Sequence, residues 1–116
     1  MYHSDGNIQS LIPDLIDVGV DILNPIQPEC MDPSAIKTHY GNRLTLDGTI
    51  SVQSTLPFGT VEDVRNEVVK RIKTVGYDGG LILGPTHIVG FDVPVTNVLA
   101  LYETAKKYGR TSGIVR

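Results

Sequence analysis

Disulfide-forming cysteine pairs, long hydrophobic runs and an excess of basic charge are all missing from this chain. One cysteine, Cys30, occurs in 116 residues, which excludes a disulfide framework within one chain and fits a reducing compartment. The apolar runs are far shorter than the roughly 20 residues that a membrane span requires. The N-terminus has neither the basic start nor the apolar stretch of a secretory leader. We therefore expect a cytoplasmic protein with no membrane partner.

The charge balance argues against nucleic acid as a partner. The formal net charge is -3, whereas phosphate binding requires a clustered basic surface. The one basic run, Lys70, Arg71 and Lys73, falls in the last turns of a predicted helix, where cations complement the helix dipole. We interpret it as a solvated helix end. The length predicts a single domain over residues 1–116, with room for a modest core.

Strand-like and helix-like segments alternate along the chain. Short apolar strands are predicted at residues 1–3, 20–23, 43–46 and 80–83, each followed by a polar loop and then a helix. No turn joins two strands directly, which predicts an α/β fold with a parallel sheet covered by helices. Four such units form an open sheet, whereas a (β/α)8 TIM barrel closes with eight. We therefore expect half of such a barrel, and the very short first strand indicates that sequence once preceded it.

Capping residues mark the predicted helix boundaries. The clearest helix runs from Val61 to Val75, with apolar residues on one face and a capping-box pattern at Thr60 and Asp63. Other predicted boundaries are Asp32-Pro33 and Tyr40-Gly41 for the second helix, Ser10 as cap and Gly19 as stop of the first, and Pro94 to Tyr108 for the last.

Polar side chains collect where the predicted strands end. In chain order they are His3 with Asp5, Asn24 with Gln27, Asp47, and His87. In parallel β/α architectures the loops that leave these strand ends carry the functional residues, so a joint site is predicted at this edge. Conformational alternatives stay open. Asp5 and Asp47 also suit tight turns. His3 suits a partly buried structural histidine, and Gln27 suits backbone hydrogen bonding in a proline-rich loop.

Three of these side chains form a candidate metal site. His3 and Asp5 are two residues apart on extended chain and can lean the same way, and the loop that carries His87 would converge on the same barrel mouth. Two imidazoles and one carboxylate suit zinc or another divalent transition metal with an open position. His87 is also the candidate catalytic residue. We expect Cys30 to be a bystander and His39 to be a surface residue of a short helix.

At these residues the chain resembles the C-terminal half of the uroporphyrinogen decarboxylase superfamily, which includes cobalamin-dependent methyltransferases. The segments that carry the resemblance are His3-Ser4-Asp5-Gly6-Asn7, Asn24-Pro25-Ile26-Gln27-Pro28, Leu46-Asp47-Gly48, Leu56-Pro57-Phe58-Gly59-Thr60 and Gly84-Pro85-Thr86-His87. The resemblance covers nearly the whole chain. It implies that the four units are strands five to eight of an eight-stranded barrel with its site in the mouth.

The resemblance also implies roles for individual residues. In the decarboxylases, the catalytic aspartate and the arginines that bind substrate carboxylates belong to the N-terminal half, which is absent here, while a histidine after the last strand corresponds to His87. In the zinc methyltransferases, a histidine and a cysteine two residues apart and a cysteine after the last strand bind the metal. The matching residues are His3, Asp5 and His87. Because both thiolates are missing, we expect weaker binding or a harder metal.

Three functions are weighed on these grounds. The first is a corrinoid-dependent methyltransferase, inactive without an N-terminal half, in which a corrinoid on a partner protein carries the methyl group and Asn24, Gln27 and Asp47 bind the ligand. The second is uroporphyrinogen decarboxylase of tetrapyrrole biosynthesis, with His87 bonding a substrate carboxylate. The third is a non-catalytic half-barrel that pairs with a second copy. A homodimer or a complementary N-terminal half-barrel is the expected partner, because open sheet edges favour pairing. Whether the chain alone is an enzyme stays open.

Overall fold

The computed structural model describes residues 1–109. In chain order the elements are β1 (Tyr2–His3), a 3₁₀ turn (Gln9–Leu11), α1 (Ile12–Asp17), β2 (Ile22–Asn24), α2 (Pro33–Tyr40), β3 (Thr45–Asp47), α3 (Thr55–Phe58), α4 (Val61–Val75), β4 (Leu81–Ile82) and α5 (Val95–Tyr108). No helix within residues 1–109 is long and apolar enough to cross a membrane.

The four strands form one parallel sheet in the order β1-β2-β3-β4. His3 pairs with Asn24, Leu23 with Leu46, and Leu46 with Leu81. Each strand thus lies beside its neighbour in sequence, with a helical connection between them, as in one part of a β/α barrel. The prediction of an α/β fold with four parallel strands is confirmed. This register brings the carboxyl ends of all four strands to the same edge of the sheet.

Local capping sets the two helix starts that were predicted most clearly. The Asp32 side chain accepts a hydrogen bond from the Ser34 backbone N–H at the start of α2, and Pro33 occupies the first turn. At α4, the Thr60 hydroxyl accepts from the Asp63 N–H and the Asp63 carboxylate accepts from the Thr60 N–H. These bonds satisfy amides that have no partner inside the helix, and α4 has the predicted bounds.

Three local expectations are wrong. A 3₁₀ turn precedes α1, whose cap is Leu11 rather than Ser10. The short α3 was not predicted, because four residues containing a proline give no helical periodicity. Arg71 is 6% exposed, not solvated: its guanidinium donates to the Thr49 carbonyl at 3.3 Å and pairs with the Glu67 carboxylate at 3.4 Å.

Two hydrophobic clusters support the sheet. The first combines residues of α1, β2, α2, β3 and α4 with residues of the connecting loops and consists of Ile8, Ile12, Leu23, Ile26, Met31, Ile36, Leu44, Leu46 and Val75. The second lies under α3, α4 and α5 and consists of Ile50, Leu56, Val64, Val68, Val93, Ala100 and Leu101. Both clusters include residues of the loops that leave the strands, such as Ile26 and Ile50, so the core anchors the loops that carry the predicted site.

Candidate functional site

Backbone hydrogen bonds join the loop after each strand to its neighbour at the carboxyl edge of the sheet. The bonds are Ser4 N–H to Asn24 O (2.9 Å), Ile26 N–H to Gly48 O (3.0 Å), Thr49 N–H to Gly84 O (3.1 Å) and Thr86 N–H to Ile50 O (2.8 Å). Pairing between the strands therefore continues into the loops. Main-chain hydrogen bonds therefore contribute to fixing the positions of these loops.

This edge brings His3, Asp5 and His87 together. Each residue offers one donor atom, and the three donor atoms lie within 4.8 Å of one another. Nε2 of His87 is 3.8 Å from Oδ2 of Asp5, and the two imidazole centroids are 5.8 Å apart at an interplanar angle of 57°. All three side chains are exposed to solvent. The arrangement predicted from the strand ends is therefore present as a compact set of two imidazoles and one carboxylate.

Asn24, the last residue of β2, and Gln27, in the loop that follows, contact the segment that carries His3 and Asp5. The Asn24 amide oxygen is hydrogen bonded to Nδ1 of His3, and its Nδ2 donates to the Asp47 carbonyl at 3.3 Å. The Gln27 side chain is buried, and its Oε1 accepts from the Gly6 N–H at 2.8 Å. Both predicted ligand-binding amides therefore make hydrogen bonds within the protein.

Asp47 lies at the end of β3 beside Asn24 and is not part of the three-residue set. Burial raises the pKa of the Asp47 carboxyl above its ordinary value of 3.8, and a hydrogen bond from Asn24 partly opposes that rise. The cost of removing a carboxylate from water exceeds the stabilisation that the amide provides. A carboxyl group with a raised pKa at a strand end is a candidate for binding or proton transfer.

An open hollow of about 470 Å³ adjoins the set, lined by His3, Asn24, Pro85, Thr86, His87 and Ile88. Its volume suits a small molecule or one end of a larger ligand. Its lining combines polar side chains with Pro85 and the exposed Ile88. The arrangement can hold a small ligand against the rings of His3 and His87.

A family model described as Uroporphyrinogen decarboxylase (URO-D) matches residues 1–108. The chain belongs to the uroporphyrinogen decarboxylase family. Among solved structures, it is similar to a methyltransferase from Methanosarcina mazei, with 26% sequence identity and a TM-score of 0.74. The match covers 93% of this chain and 31% of the methyltransferase, so the chain spans less than a third of that relative. No curated protein matches the chain.

Two other predicted residues of this family member lie outside the set. Cys30 is exposed and unpaired, and His39 is an exposed residue of α2 whose Nδ1 contacts the Ala35 carbonyl. The surface position of His39 on a short helix agrees with the expectation from the sequence.

Sequence reasoning missed two residues that shape the site in this URO-D family chain. Gly48 has φ +75°, and a side chain there would meet Pro85 and Asn24. Thr86 is buried, and its hydroxyl accepts from the Val52 N–H at 3.3 Å. The Asp47-Gly48 pair is a turn pattern and could have identified the first residue. No local pattern identifies the second, because its partner is 34 residues away.

Proposed function

We propose that this chain is the C-terminal half, strands five to eight, of a URO-D-type barrel that transfers a methyl group between a corrinoid and a small acceptor. The observation that carries the proposal is the similarity to a methyltransferase along 93% of the chain. A separate partner protein would carry the corrinoid and present it at the mouth. The single exposed cysteine suits a cytoplasmic location, where thiols stay reduced.

The donor set fits a divalent transition metal. Ligand atoms about 2.0–2.2 Å from a tetrahedral zinc lie roughly 3.4 Å apart, and exposed side chains whose donor atoms are within 4.8 Å reach that spacing by small rotamer changes. His3, Asp5 and His87 would hold the metal. A metal with an open position there would polarise the small acceptor or donor. Because the set contains no thiolate, it favours a harder ion or weaker binding than a cysteine-rich site.

The residues of the mouth have separate tasks in this proposal. His87 lines the hollow, so its ring would contact the ligand and accept or donate a proton at Nε2 when it is not a metal ligand. Asp47, with its raised pKa, would orient the polar end of the ligand. The loops joined by backbone hydrogen bonds would hold these groups in register, which reduces the entropy lost when the reacting groups meet.

A partner would have to complete the mouth, and two surfaces support one. Within residues 1–109, β1 and β4 each have a neighbouring strand on one side only, and such edges favour pairing with further strands. On α5, Val95, Leu99 and Tyr102 are 73%, 53% and 51% exposed, and their spacing places them on one face. We propose that a complementary N-terminal half-barrel, or a second copy of the chain, covers these surfaces and is required for activity.

Decarboxylation of a uroporphyrinogen is a second candidate, because the matching family model carries that description over residues 1–108. In that case His87 would donate a hydrogen bond to a substrate carboxylate, which a protonated imidazole does well. A non-catalytic half-barrel that pairs with its own copy is the third candidate, supported by the same open edges.

Methyl transfer provides the direct test. The chain would be mixed with methylcob(III)alamin and a small thiol, alone and together with a polypeptide containing the part of the Methanosarcina methyltransferase that it does not cover. Transfer of the methyl group to the thiolate would give a thioether and cob(I)alamin, seen by its absorbance. We expect turnover only in the combined sample, and its loss in His87→Ala. Turnover by the monomeric chain alone, or none in either sample, would contradict the proposal. Loss of carboxyl groups from uroporphyrinogen would favour the second candidate.

Metal binding and self-association are tested separately. Titrations with Zn²⁺, Co²⁺ and Mn²⁺ should show binding that Asp5→Asn and His87→Ala weaken and that His39→Ala, an exposed histidine outside the set, leaves unchanged. The metal proposal fails if none of the three ions binds better than roughly millimolar. Light scattering during size exclusion should show a dimer when no other half is supplied, and a stable monomer at micromolar concentration would exclude self-pairing.

A further inference from the structure

Asn24, the last residue of β2, and Gln27, in the loop that follows, make side-chain hydrogen bonds within the protein. The Asn24 oxygen faces Nδ1 of His3 and its nitrogen donates to the Asp47 carbonyl, while the Gln27 oxygen accepts from Gly6. His3 belongs to the His3 and Asp5 pair, and Gly6 directly follows Asp5. Amides that make these contacts can determine how the pair is presented.

The Asn24 contacts determine which nitrogen of His3 carries the proton. The Asp47 carbonyl oxygen can only accept a hydrogen bond, so the amide atom 3.3 Å from it must be Nδ2. The other amide atom, which faces His3, is therefore the oxygen, and it too can only accept. Nδ1 of His3 must then carry the hydrogen. In the neutral ring this leaves the lone pair on Nε2, the nitrogen available to a metal or to a proton.

Gln27 fixes the turn that follows Asp5. Its Oε1 accepts the Gly6 N–H at 2.8 Å, and Gly6 has φ +85°, a conformation in which glycine is strongly preferred. The Gln27 side chain is 7% exposed, and its loop is tied to the next one by the Ile26 N–H to Gly48 O bond. A buried acceptor in a fixed loop therefore holds the amide next to Asp5.

We propose that Asn24 and Gln27 are positioning residues of this site, which act on the ligand through His3 and Asp5. Asn24 selects the Nδ1–H form of His3, so that Nε2 is the donor atom, and Gln27 sets the direction of the Asp5 loop. This proposal rests on the proposed function only because it treats His3 and Asp5 as metal ligands. The tautomer of His3 and the contact between Gln27 and Gly6 are properties of the protein without metal. Partners of this kind orient ligating histidines in metal sites generally.

Nitrogen NMR of the histidine rings in the metal-free chain tests the first half. When its ring is neutral, His3 should be in the Nδ1–H form. Asn24→Asp keeps an acceptor facing the ring and should preserve that form. Asn24→Leu removes the acceptor and should abolish the preference. Asn42→Leu, an exposed turn residue, is the matched control and should leave His3 unchanged.

Metal affinity and amide exchange test the consequences. Co²⁺ affinity should fall about 10- to 100-fold in Asn24→Leu, and Asn24→Asp should recover most of it. Gln27→Leu should speed hydrogen exchange of the Gly6 amide by roughly tenfold, the effect of losing one hydrogen bond. Gln9→Leu, at an exposed position, should not change that exchange rate. A retained NMR dispersion shows that each variant folds.

The outcomes separate this inference from the proposed function. An Nε2–H form of His3 in the unmodified chain, which requires no variant to fold, would overturn the role of Asn24. Unchanged Gly6 exchange in Gln27→Leu would overturn the role of Gln27. If the tautomer and exchange results are as expected but no metal binds, the positioning roles stand and the metal proposal fails. If Co²⁺ binds the unmodified chain and Asn24→Leu equally well, the metal proposal stands and the Asn24 role fails.

Discussion

Replacing Gly48 by alanine should destabilise the protein by two additive effects. Gly48 has φ +75°, and an alanine in this left-handed region costs about 1–2 kcal/mol. Its Cβ would also lie 2.9 Å from the Pro85 carbonyl oxygen and 3.0 Å from Nδ2 of Asn24. Relieving contacts this close, one of them to backbone, costs a further ~1–3 kcal/mol. Urea unfolding should therefore show a loss of roughly 2–5 kcal/mol at unchanged m.

Gly79→Ala isolates the first effect. Gly79 has φ +76°, nearly the same as Gly48, but no atom within 4 Å of the added Cβ. The Gly79→Ala variant should therefore lose only about 1–2 kcal/mol of its free energy of unfolding. The difference between the two variants measures the crowding at the mouth, and the His3 ring signals should shift in Gly48→Ala alone because Asn24 is displaced. Losses that agree within ~0.5 kcal/mol, the usual scatter of neutral substitutions, would refute the reasoning.

Three further predictions concern stability. Asn97→Leu should lower the free energy of unfolding by about 2–4 kcal/mol, because the buried Asn97 amide donates to the carbonyls of Leu56 and Gly59 at 2.9 and 2.8 Å, and both would lose this partner. Urea unfolding measures the loss, with the exposed helical variant Asn66→Leu as the control. A loss equal to that of the control would contradict the prediction. Thr60→Ala should lower the free energy of unfolding by about 1 kcal/mol, because it removes the side-chain cap of α4. The change in the urea midpoint measures this loss, and an unchanged midpoint would show that the cap is not needed. Burial raises the pKa of Asp47, so the folded state disfavours its ionised form. This penalty is absent well below pH 3.8. It grows as the pH rises from there to the raised pKa, and it stays constant above that. The free energy of unfolding of Asp47→Asn should therefore increase relative to that of the unmodified chain over this pH range. Free energies of unfolding that change in parallel with pH in the two proteins would exclude the effect.

The sequence predicted best what short-range physics determines. The valine and isoleucine stripe of α4 and the Thr60 and Asp63 cap are local, so its bounds are confirmed. Each strand was located within two residues at either end, because short buried runs between helices leave few alternatives. Their ends are less certain, since pairing with a neighbour decides where a strand stops.

Features that depend on distant contacts were predicted less well. Arg71 lies in a basic run that suits a solvated helix end, yet the Thr49 carbonyl, 22 residues away, accepts from it in the interior. The same limit applies to Asn24 and Gln27. Their place at a strand end was predictable, but the partners that occupy their amide groups lie 21 and 23 residues away. The predicted strand order therefore brought these residues to one edge, and the folded chain is needed to distinguish the exposed set of His3, Asp5 and His87 from the amides that contact it.

The hydrogen bonds that join neighbouring loops at the carboxyl edge have a consequence for protein engineering. They run between backbone groups, from Ser4 to Asn24, Ile26 to Gly48, Thr49 to Gly84 and Thr86 to Ile50, so they do not depend directly on the exposed side chains of Asp5 and His87 beside them. Substitutions at these two positions should therefore leave the main-chain bonds between the loops in place. The edge can serve as a scaffold on which exposed side chains are exchanged while the loop backbone is retained.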